Sequence, residues 1–404
     1  MRGKMKKYIP NLAWVFLLLF ICVVGYQSVS AITGLKEKLQ VFMQVLEYVK
    51  NDYVEKNVDD QKLVYGAIKG MLDSLDDPYT RFMEPKPFKE MQMRMKGSYS
   101  GIGIYIGMKN KVLTVIAPIP DTPAAKAGLK SGDKIITIDD KPTKDMGLEE
   151  AVSMIRGKKG TVVKLGIIKR GENEKRDFSI IRDTIVVKSV EYKTIDKNIG
   201  YIKLITFENL NSANEMRKAI KALKNLGCKA LIIDVRNNGG GLLSNATEIA
   251  SMFLKSGEPI VYTVDREGRK EVIESSGENI WQGPIVMLIN EGSASASEIL
   301  AGALRDNNYA TLVGYHTFGK ASVQSVRQLY DGSALLLTVA KYLTPDGRDI
   351  SKTGINPDIE VKTGKEKDNK GASINDKEDE IVFPDEDAKD IQLEKAKEYI
   401  KTKI

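Results

Sequence analysis

The chain has 404 residues, 42% of them hydrophobic, so it is long enough to bury more than one core. The formal net charge is +7, but lysines and acidic residues are interleaved along most of the sequence. A nucleic-acid-binding protein is expected to gather its basic residues on one face or along one helix, so this pattern argues against nucleic acid as a partner. Of the two cysteines, Cys22 lies in an apolar N-terminal run, which leaves Cys228 without a disulfide partner.

The N-terminus combines a basic flank, MRGKMKK, with the apolar run LAWVFLLLFICVVG at residues 12–25. The flank is expected to stay in the cytoplasm, and the rest of the chain is then sent across the membrane. The run is short for a spanning helix and long for the core of a signal peptide. We predict that residues 1–33 are a retained single-pass membrane anchor, with the remainder outside the cytoplasm. The alternative is a secreted protein whose signal is cleaved near VSA at residues 29–31.

The periodicity of apolar residues then changes along the chain. Residues 39–54 and 62–75 carry them at three- and four-residue spacing, which predicts two helices, and DDPYTRFM at residues 76–83 interrupts this pattern with Asp-Pro. Short strands follow, and later strands alternate with helices. Asp331-Gly332 predicts a hairpin between two late strands. The predicted regions are an N-terminal helical region (34–96), a strand-rich block (97–183), an α/β domain (184–362) and a charged linker with a C-terminal helix (363–404).

Two segments of the strand-rich block, SGIGIYIG at residues 100–107 and PDTPAAKAGLKSGDKIITIDD at residues 120–140, together resemble a PDZ domain of the kind found beside bacterial proteases. Such a domain binds a peptide C-terminus as an added strand, and free N–H groups of a Gly-containing loop hold the terminal carboxylate. The resemblance implies a ligand that ends in apolar residues, although the isoleucines could also belong to the domain's core. The residues expected to bind the ligand are Gly101, Ile102, Gly103, Ile104, Val152 and Ile155.

A run of alternating serines, NEGSASASEI at residues 290–299, lies where a predicted strand passes into a predicted helix. A serine at such a junction can sit at the helix N-terminus, where backbone N–H groups and the helix dipole favour negative charge. That arrangement suits a nucleophile beside an oxyanion hole. Because Ser and Gly before a helix also serve as N-caps, the run alone leaves both interpretations open.

Three further segments extend this pattern: GYHTFGKASVQ (314–324), DVRNNGGG (234–241) and GINPDIEV (354–361). With GSASASE they resemble the motifs of the carboxyl-terminal processing proteases, a Ser-Lys peptidase family also called S41. The resemblance covers roughly residues 40 to 362, including the PDZ block. It implies a crotonase-like α/β peptidase core with an inserted PDZ domain, and a serine endopeptidase that uses no cofactor or metal.

The resemblance assigns the nucleophile to Ser295, the base to Lys320 and the residue that assists the lysine to Gln324. An ordinary lysine is protonated at neutral pH, but burial favours its neutral form and would let it act as a base. Apolar surroundings for the amine are expected from Phe318, Ala321 and Val323. The single histidine, His316, lacks an acid to orient it in any of the motifs, so it is predicted to be a partly exposed loop residue.

The oxyanion hole implied by the family combines the Ala296 N–H with an N–H of the DVRNNGGG loop. Either Gly239 or Gly240 could supply the second donor, since glycine lets the backbone approach a substrate closely. Asp234 and Arg236 are expected to brace the loop. The family usually has glycine after the lysine where this chain has Ala321, which would be strained if the site needed a positive φ.

Two other functions compete with the predicted serine endopeptidase. A PDZ-bearing scaffold with an inactive core is disfavoured because all three motif residues remain, and a crotonase-type acyl-CoA enzyme is disfavoured by the predicted export. The expected partners are proteins with apolar C-terminal tails. The family resemblance also favours a homodimer in which the terminal helices interlock, whereas packing onto the chain's own core is the alternative. The apolar stripes concerned are Leu39, Phe42, Val45 and Leu46 near the N-terminus, and Ile391, Leu393 and Ile400 near the C-terminus.

Overall fold

The computed structural model describes residues 35–109, 111–362 and 390–404. The predicted anchor or signal segment lies outside these residues, as does most of the predicted charged linker. Within the described ranges, no helix is long and apolar enough to cross a membrane. The chain divides into two compact units, with the boundary between Met71 and Leu72.

The first unit contains helix α1, at residues 35–52, and most of helix α2 (Asp60–Asp73). Both helices were predicted from the spacing of apolar residues, and the structure confirms them, with starts a few residues earlier than expected. The stripe on α1 is solvent-exposed: Leu39, Phe42 and Val45 have relative exposures of 53%, 43% and 54%.

The second unit opens with strand β1 (Arg81–Met83) and helix α3 (Pro85–Met95). The segment DDPYTRFM (76–83) was predicted only to interrupt the helical pattern, and the structure shows that it also contains β1. Phe82 and Met83 are buried, and the strand pairs with residues 334–336 from far along the chain. Three residues are too few for a periodic signal, so only the distant partner defines this strand.

The strand-rich block forms a separate sheet in the order β3-β4-β5-β7-β8, with β6 added to β5. Its first and last strands, β2 and β9, pair with each other and carry the chain into and out of the block. The elements are β2 (Ser98–Gly101), β3 (Ile104–Lys109), β4 (Val112–Pro118), α4 (Pro123–Lys126), β5 (Lys134–Ile138), β6 (Lys141–Pro142), α5 (Leu148–Ile155), β7 (Val162–Ile168), β8 (Lys175–Ile181) and β9 (Asp183–Val186).

The α/β domain has a six-stranded sheet in the order β10-β11-β12-β15-β16-β19, parallel except for β10. The elements up to β15 are β10 (Val190–Asp196), β11 (Ile199–Leu204), α6 (Ser212–Asn225), β12 (Ala230–Asp234), α7 (Leu243–Ser251), β13 (Pro259–Asp265), β14 (Lys270–Glu274) and β15 (Ile285–Ile289). Those that follow are α8 (Ala296–Asp306), β16 (Ala310–Gly314), β17 (Ser322–Gln328), β18 (Ala334–Leu343), β19 (Ile359–Glu360) and α9 (Ile391–Lys401).

Helices cover both faces of this sheet. Side chains of α6, α7 and α8 share one core with alternate residues of the central strands, and α9 closes the opposite face. Every residue of β12 and β15 is therefore buried. This explains why ALIID and IVMLI read as continuous apolar runs rather than as alternating ones.

A second sheet is organised around the long strand β18. It pairs antiparallel with β17 through the Asp331-Gly332 turn, so the predicted hairpin is confirmed. It also pairs with β13 near its C-terminal end and with β1 near its N-terminal end. Strand β18 thereby brings residues near position 80 next to residues near position 324.

The C-terminal helix α9 packs on its own chain. Ala396 and Ile400 are fully buried against the six-stranded sheet, and Leu393 is partly buried there. At this end of the protein, the structure thus shows the second of the two predicted arrangements, in which the terminal helix packs on the core of its own chain. Ile391 remains 43% exposed because it begins the helix outside that contact.

Candidate active site

Ser295 lies at a sharp turn between a buried strand and a buried helix. Strand β15 ends at Ile289, α8 begins at Ala296, and Ser295 has φ 55° and ψ −114°. This conformation is rare for a residue with a side chain and costs on the order of 1–3 kcal/mol. A serine held in this way at a strand-to-helix turn has the geometry of a nucleophile elbow.

The two neighbouring serines of the motif have structural contacts instead. Ser293 and Ser297 are fully buried. The Ser293 hydroxyl donates to the Val235 carbonyl at 2.8 Å, and the Ser297 hydroxyl donates to the Asn238 carbonyl at 2.8 Å. Both therefore tie the serine turn to the DVRNNGGG loop, and only Ser295 is partly open to solvent.

Glu298 joins the serine turn to the lysine segment, and sequence reasoning did not single it out. Its buried carboxylate accepts hydrogen bonds from the Ser295 N–H at 2.8 Å and the Lys320 N–H at 2.9 Å. The Gly319 N–H and the Thr317 hydroxyl also donate to it, at 2.7 Å and 2.5 Å. The spacing Ser-x-x-Glu, typical of a capping box, was the available signal.

Tyr342 of β18 makes a second connection between the same two segments. Its hydroxyl donates to the Lys320 carbonyl at 2.5 Å and to the Ser295 carbonyl at 3.2 Å, and its ring is buried. Burial, and then the nearby Glu298 carboxylate, raise the pKa of Tyr342 well above the ordinary tyrosine value. The phenol therefore stays a donor at any physiological pH.

Lys320 is half-buried, and its amine lies 4.6 Å from the ring centre of Tyr79. Burial, and then the positive charge of Arg81, lower the pKa of Lys320 below the ordinary lysine value. Among the described residues, no hydrogen bond joins the Lys320 amine to the Ser295 hydroxyl. The amine instead rests on an aromatic face.

The aromatic face comes from the DDPYTRFM segment, which sequence reasoning left without a role. The Thr80 hydroxyl donates to the Asp77 carboxylate at 2.7 Å and accepts from the Thr338 N–H at 3.0 Å. These bonds fix the segment on β18 and place Tyr79 beside the lysine. No local pattern could have revealed this, because the contacts span more than 240 positions of sequence.

Gln324 points away from the lysine in this conformation. Its amide donates to the Ser322 hydroxyl at 2.8 Å and to the Thr338 hydroxyl at 3.4 Å. Both partners belong to the β17–β18 hairpin. The structure therefore places Gln324 on the strand after the lysine but does not join the two side chains.

The other expectations for the lysine segment have mixed outcomes. Phe318 is 55% exposed, so its predicted part in the apolar surroundings is wrong, whereas Ala321 is buried and Val323 is partly buried. Ala321 is not among the positive-φ residues of the described chain, so alanine in place of glycine introduces no backbone strain. His316 is half-buried in the loop, where its Nδ1 lies 3.0 Å from the Thr317 carbonyl oxygen.

The glycines after Asn238 lie against the serine turn. A Cβ on Gly240 would come within 2.6 Å of the Ala294 carbonyl oxygen and 2.9 Å of the Ala296 nitrogen, so only glycine fits. The Gly240 N–H already donates to the Asn238 side chain at 3.0 Å. Gly239 is exposed, and in the described part of the chain neither its N–H nor that of Ala296 has a partner.

A cavity of about 460 Å³ opens beside the PDZ sheet, and all six residues predicted to bind a peptide line it. Ile102 and Ile155 also belong to the domain's core, and Ile104 packs against that core. Gly103 has φ +77°, and in the described loop the N–H groups of Ile102 and Gly103 have no partner. The site thus has an apolar wall beside free donors.

The same cavity is bordered by residues outside the PDZ sheet. Arg94 of α3 forms an ion pair with Glu208 at 3.4 Å, and Thr206 and Asn209 lie on the same side. Arg156 stacks over the Tyr99 ring at 5.2 Å. The end of α5 is capped by Arg182, which donates to the Met154 and Ile155 carbonyls.

The sequence matches known families in three segments. Residues 198–361 match Peptidase family S41, residues 90–168 match the PDZ domain, and residues 25–87 match the Activating protease CtpB N-terminal domain. These segments follow the order of the structural regions. The fold and the family matches thus define a serine protease with a PDZ domain.

Curated relatives identify the family. Carboxy-terminal processing protease CtpA of Bacillus subtilis is 42% identical over 332 residues, which are 82% of this chain and 70% of that protein. The carboxyl-terminal-processing protease of Picosynechococcus sp. is 38% identical over 363 residues, with 84% and 87% of the two chains covered. That of Synechocystis sp. is 40% identical over 316 residues, with 77% and 74% covered. The chain belongs to the carboxyl-terminal processing proteases of peptidase family S41.

The buried Glu298 carboxylate generates the first prediction. Glu298→Gln replaces two of the acceptor positions by N–H donors that face other N–H groups, so the serine and lysine segments should separate. We expect kcat to fall by about 100-fold or more while the chain stays folded. Peptidase kinetics and thermal unfolding would measure both effects. Glu291→Gln, in the same turn, is the matched control, and activity of Glu298→Gln within threefold of that control would contradict the prediction.

Proposed function

We propose that this protease cleaves proteins with apolar C-terminal tails, outside the cytoplasm, with Ser295 as nucleophile and Lys320 as general base. The observation that carries the proposal is Ser295 in a strained turn whose backbone shares the Glu298 carboxylate with the backbone of Lys320. This shared acceptor keeps the backbones of the two segments in a fixed relation.

In the proposed reaction, the neutral Lys320 amine leaves the Tyr79 ring and accepts the proton of the Ser295 hydroxyl. The serine oxygen attacks the scissile carbonyl, and the resulting oxyanion accepts hydrogen bonds from the Gly239 and Ala296 N–H groups. Lys320 then gives its proton to the departing amine, and water hydrolyses the acyl-enzyme. Gln324 assists by holding the lysine once its amide turns from Ser322.

The tail is proposed to bind in the cavity beside the PDZ sheet. Its terminal carboxylate would accept from the Ile102 and Gly103 N–H groups, which have no partner in the described loop. Its last apolar side chains would lie against Ile104, Val152 and Ile155. Because the tail would bind through hydrogen bonds between its backbone and the backbone of the PDZ domain, few polar side chains are needed in the cavity.

Cleavage of an unstructured protein ending in Val-Ala-Ala tests the proposed function. We expect Ser295→Ala to abolish cleavage and to keep tail binding, because the elbow and the PDZ cavity are separate sites. Ser293→Ala loses the hydrogen bonds to the Val235 carbonyl and from the Asn290 N–H, and Ser297→Ala loses the one to the Asn238 carbonyl. At about 1 kcal/mol of stability for each bond, both variants are controls that should retain activity. Quantitative electrophoresis and fluorescence anisotropy give the two readouts. If Ser293→Ala loses as much activity as Ser295→Ala, the assignment of Ser295 as the nucleophile is contradicted.

The lowered pKa of Lys320 predicts how activity depends on pH. The neutral amine accumulates as pH rises through this pKa, so kcat/KM should rise with pH, with a midpoint below the ordinary lysine value. Removing the positive charge in Arg81→Gln should move the midpoint to higher pH, because Arg81 disfavours the protonated amine. Lys320→Arg should be inactive at every pH, whereas His316→Ala should keep the wild-type profile. An unchanged midpoint in Arg81→Gln would contradict Lys320 as the base.

We further propose that residues 1–33 anchor the protein in the membrane. We also propose that the exposed apolar stripe on α1 packs against the same stripe of a second copy of the chain. Phe42→Asp would place a charge in such a contact and should give a monomer, whereas Gln40→Asp, on the opposite face of the same helix, should not. Light scattering of the detergent-solubilised full chain, with the detergent mass subtracted, measures the assembly. A wild-type chain that is already monomeric at micromolar concentration would remove this part of the proposal.

A further inference from the structure

The C-terminal helix reaches the loop that carries the oxyanion donors. Asp390, immediately before α9, accepts hydrogen bonds from both terminal nitrogens of Arg236, at 2.9 Å and 2.7 Å. Such a two-pronged pair between arginine and carboxylate fixes direction as well as distance. The contact joins residues that are 154 positions apart.

Arg236 is at the same time bound to Asp234 at the end of β12. The guanidinium Nε and Nη2 donate to the Asp234 carboxylate at 3.0 Å and 2.6 Å, and the Arg236 backbone N–H donates to it at 2.9 Å. The Tyr201 hydroxyl donates to the same carboxylate at 2.7 Å. Asp234 is therefore a fixed support, with 3% of its side chain exposed.

The second residue of α9 completes the contact. Gln392 accepts from Arg236 Nη1 at 3.1 Å through its side-chain oxygen, and its amide nitrogen donates to the Val361 carbonyl at 2.8 Å. Because Gln392 is buried, it also fixes where the helix begins relative to the sheet. Three of the hydrogen bonds that Arg236 donates thus end on the C-terminal segment.

Without the acceptors of Asp390 and Gln392, the Arg236 guanidinium would keep N–H donors that have no partner. The Arg236 side chain is only 16% exposed, so water could reach it on one side at most. Burial alone would lower the pKa of Arg236, but its bonds to Asp390 and Asp234 raise it above the ordinary arginine value. The cation is therefore permanent, and it needs both carboxylates to stay where it is.

Arg236 starts the turn that leads to the oxyanion donor. Asn237, the next residue, has a positive φ of 59°, and its N–H donates to the Asn290 side chain at 2.9 Å. The following residues reach Gly239, whose N–H is free for a ligand. The far end of the loop is held separately, by the Phe207 N–H on the Gly240 carbonyl at 3.0 Å. Between these two ends, the Asn238 carbonyl accepts from the Ala294 N–H at 3.0 Å and from the Ser297 hydroxyl at 2.8 Å. A shift of Arg236 would therefore strain residues 237–239 against these bonds and disturb the Gly239 N–H.

We propose that Asp390, acting through Arg236, is a positioning residue for the DVRNNGGG segment (234–241), called here the oxyanion loop. The C-terminal helix would then be part of the catalytic unit. The inference rests on the proposed function, since it concerns the donor assigned to Gly239. Asp390 touches neither the substrate nor Ser295. Its effect should appear in the stabilisation of the transition state and not in the binding of the tail.

The test uses the full-length protein in detergent, with the Val-Ala-Ala substrate and a fluorophosphonate, which phosphonylates the serine with loss of fluoride. Asp390→Asn keeps the size of the side chain but can accept from only one of the two Arg236 nitrogens. We expect kcat and the phosphonylation rate to fall about tenfold or more, with KM and tail affinity within twofold of wild type. Asp390→Glu, which keeps the carboxylate, should recover part of the rate.

Glu398→Gln is the matched control, because Glu398 lies on the same helix and, among the described residues, pairs only with Lys395 on the surface, at 2.8 Å. It should behave as wild type in every assay. Thermal unfolding of both variants measures the purely structural contribution. A drop in the unfolding midpoint of Asp390→Asn with unchanged kcat would reduce the contact to a structural one and overturn the proposal.

A double-mutant cycle decides whether the effect passes through Arg236. In an Arg236→Gln background, Asp390→Asn should cause no further loss, because the partner is already absent. If Arg236→Gln does not fold, Arg236→Lys serves instead, since lysine keeps the charge but cannot form the bidentate pair with Asp390. Additive losses would overturn the inference. An inactive wild type, or an active Ser295→Ala variant, would instead refute the proposed function, so the two failures are distinguishable.

Discussion

The buried carboxylate of Glu298 is the interaction on which the site depends. It is placed in the first turn of α8, directly after Ser295, and it accepts from backbone and hydroxyl donors of the segment 317–320. A desolvated carboxylate is tolerated only when its lone pairs are filled, so both segments must be present for either to be stable there. The backbones of Ser295 and Lys320, the proposed nucleophile and base, are therefore fixed by one acceptor.

Strand β18 organises the lysine side of the site in a similar way. It carries Tyr342 and Thr338, and it holds Tyr79 and Gln324 through its pairing with β1 and β17. The serine side depends instead on the central parallel sheet, because Ser295 and the glycine loop follow the C-terminal ends of β15 and β12. Ligand sites at this edge of a parallel sheet are general, since the loops there converge.

The PDZ cavity and the oxyanion loop share one stretch of backbone. Thr206, Glu208 and Asn209 border the cavity, and Phe207 between them is hydrogen-bonded to Gly240 and Leu242. A Cβ on Gly241 would overlap the Glu208 nitrogen at 2.2 Å, so the two loops are in direct contact. Only the folded chain reveals this, because residues 206–209 have no motif of their own.

The sequence by itself determined the two domains, the hairpin at Asp331-Gly332 and the segments that carry Ser295, Lys320 and the glycine loop. These features are encoded locally, by apolar periodicity, turn residues and short motifs. The tertiary structure alone decided that Tyr79, Tyr342 and Asp390 belong around those segments, and that Gly240 is already occupied by Asn238. It also decided that Phe318 faces solvent and that α9 covers its own sheet. The physical reason is that such contacts join positions far apart in the chain, where no local pattern constrains the pairing.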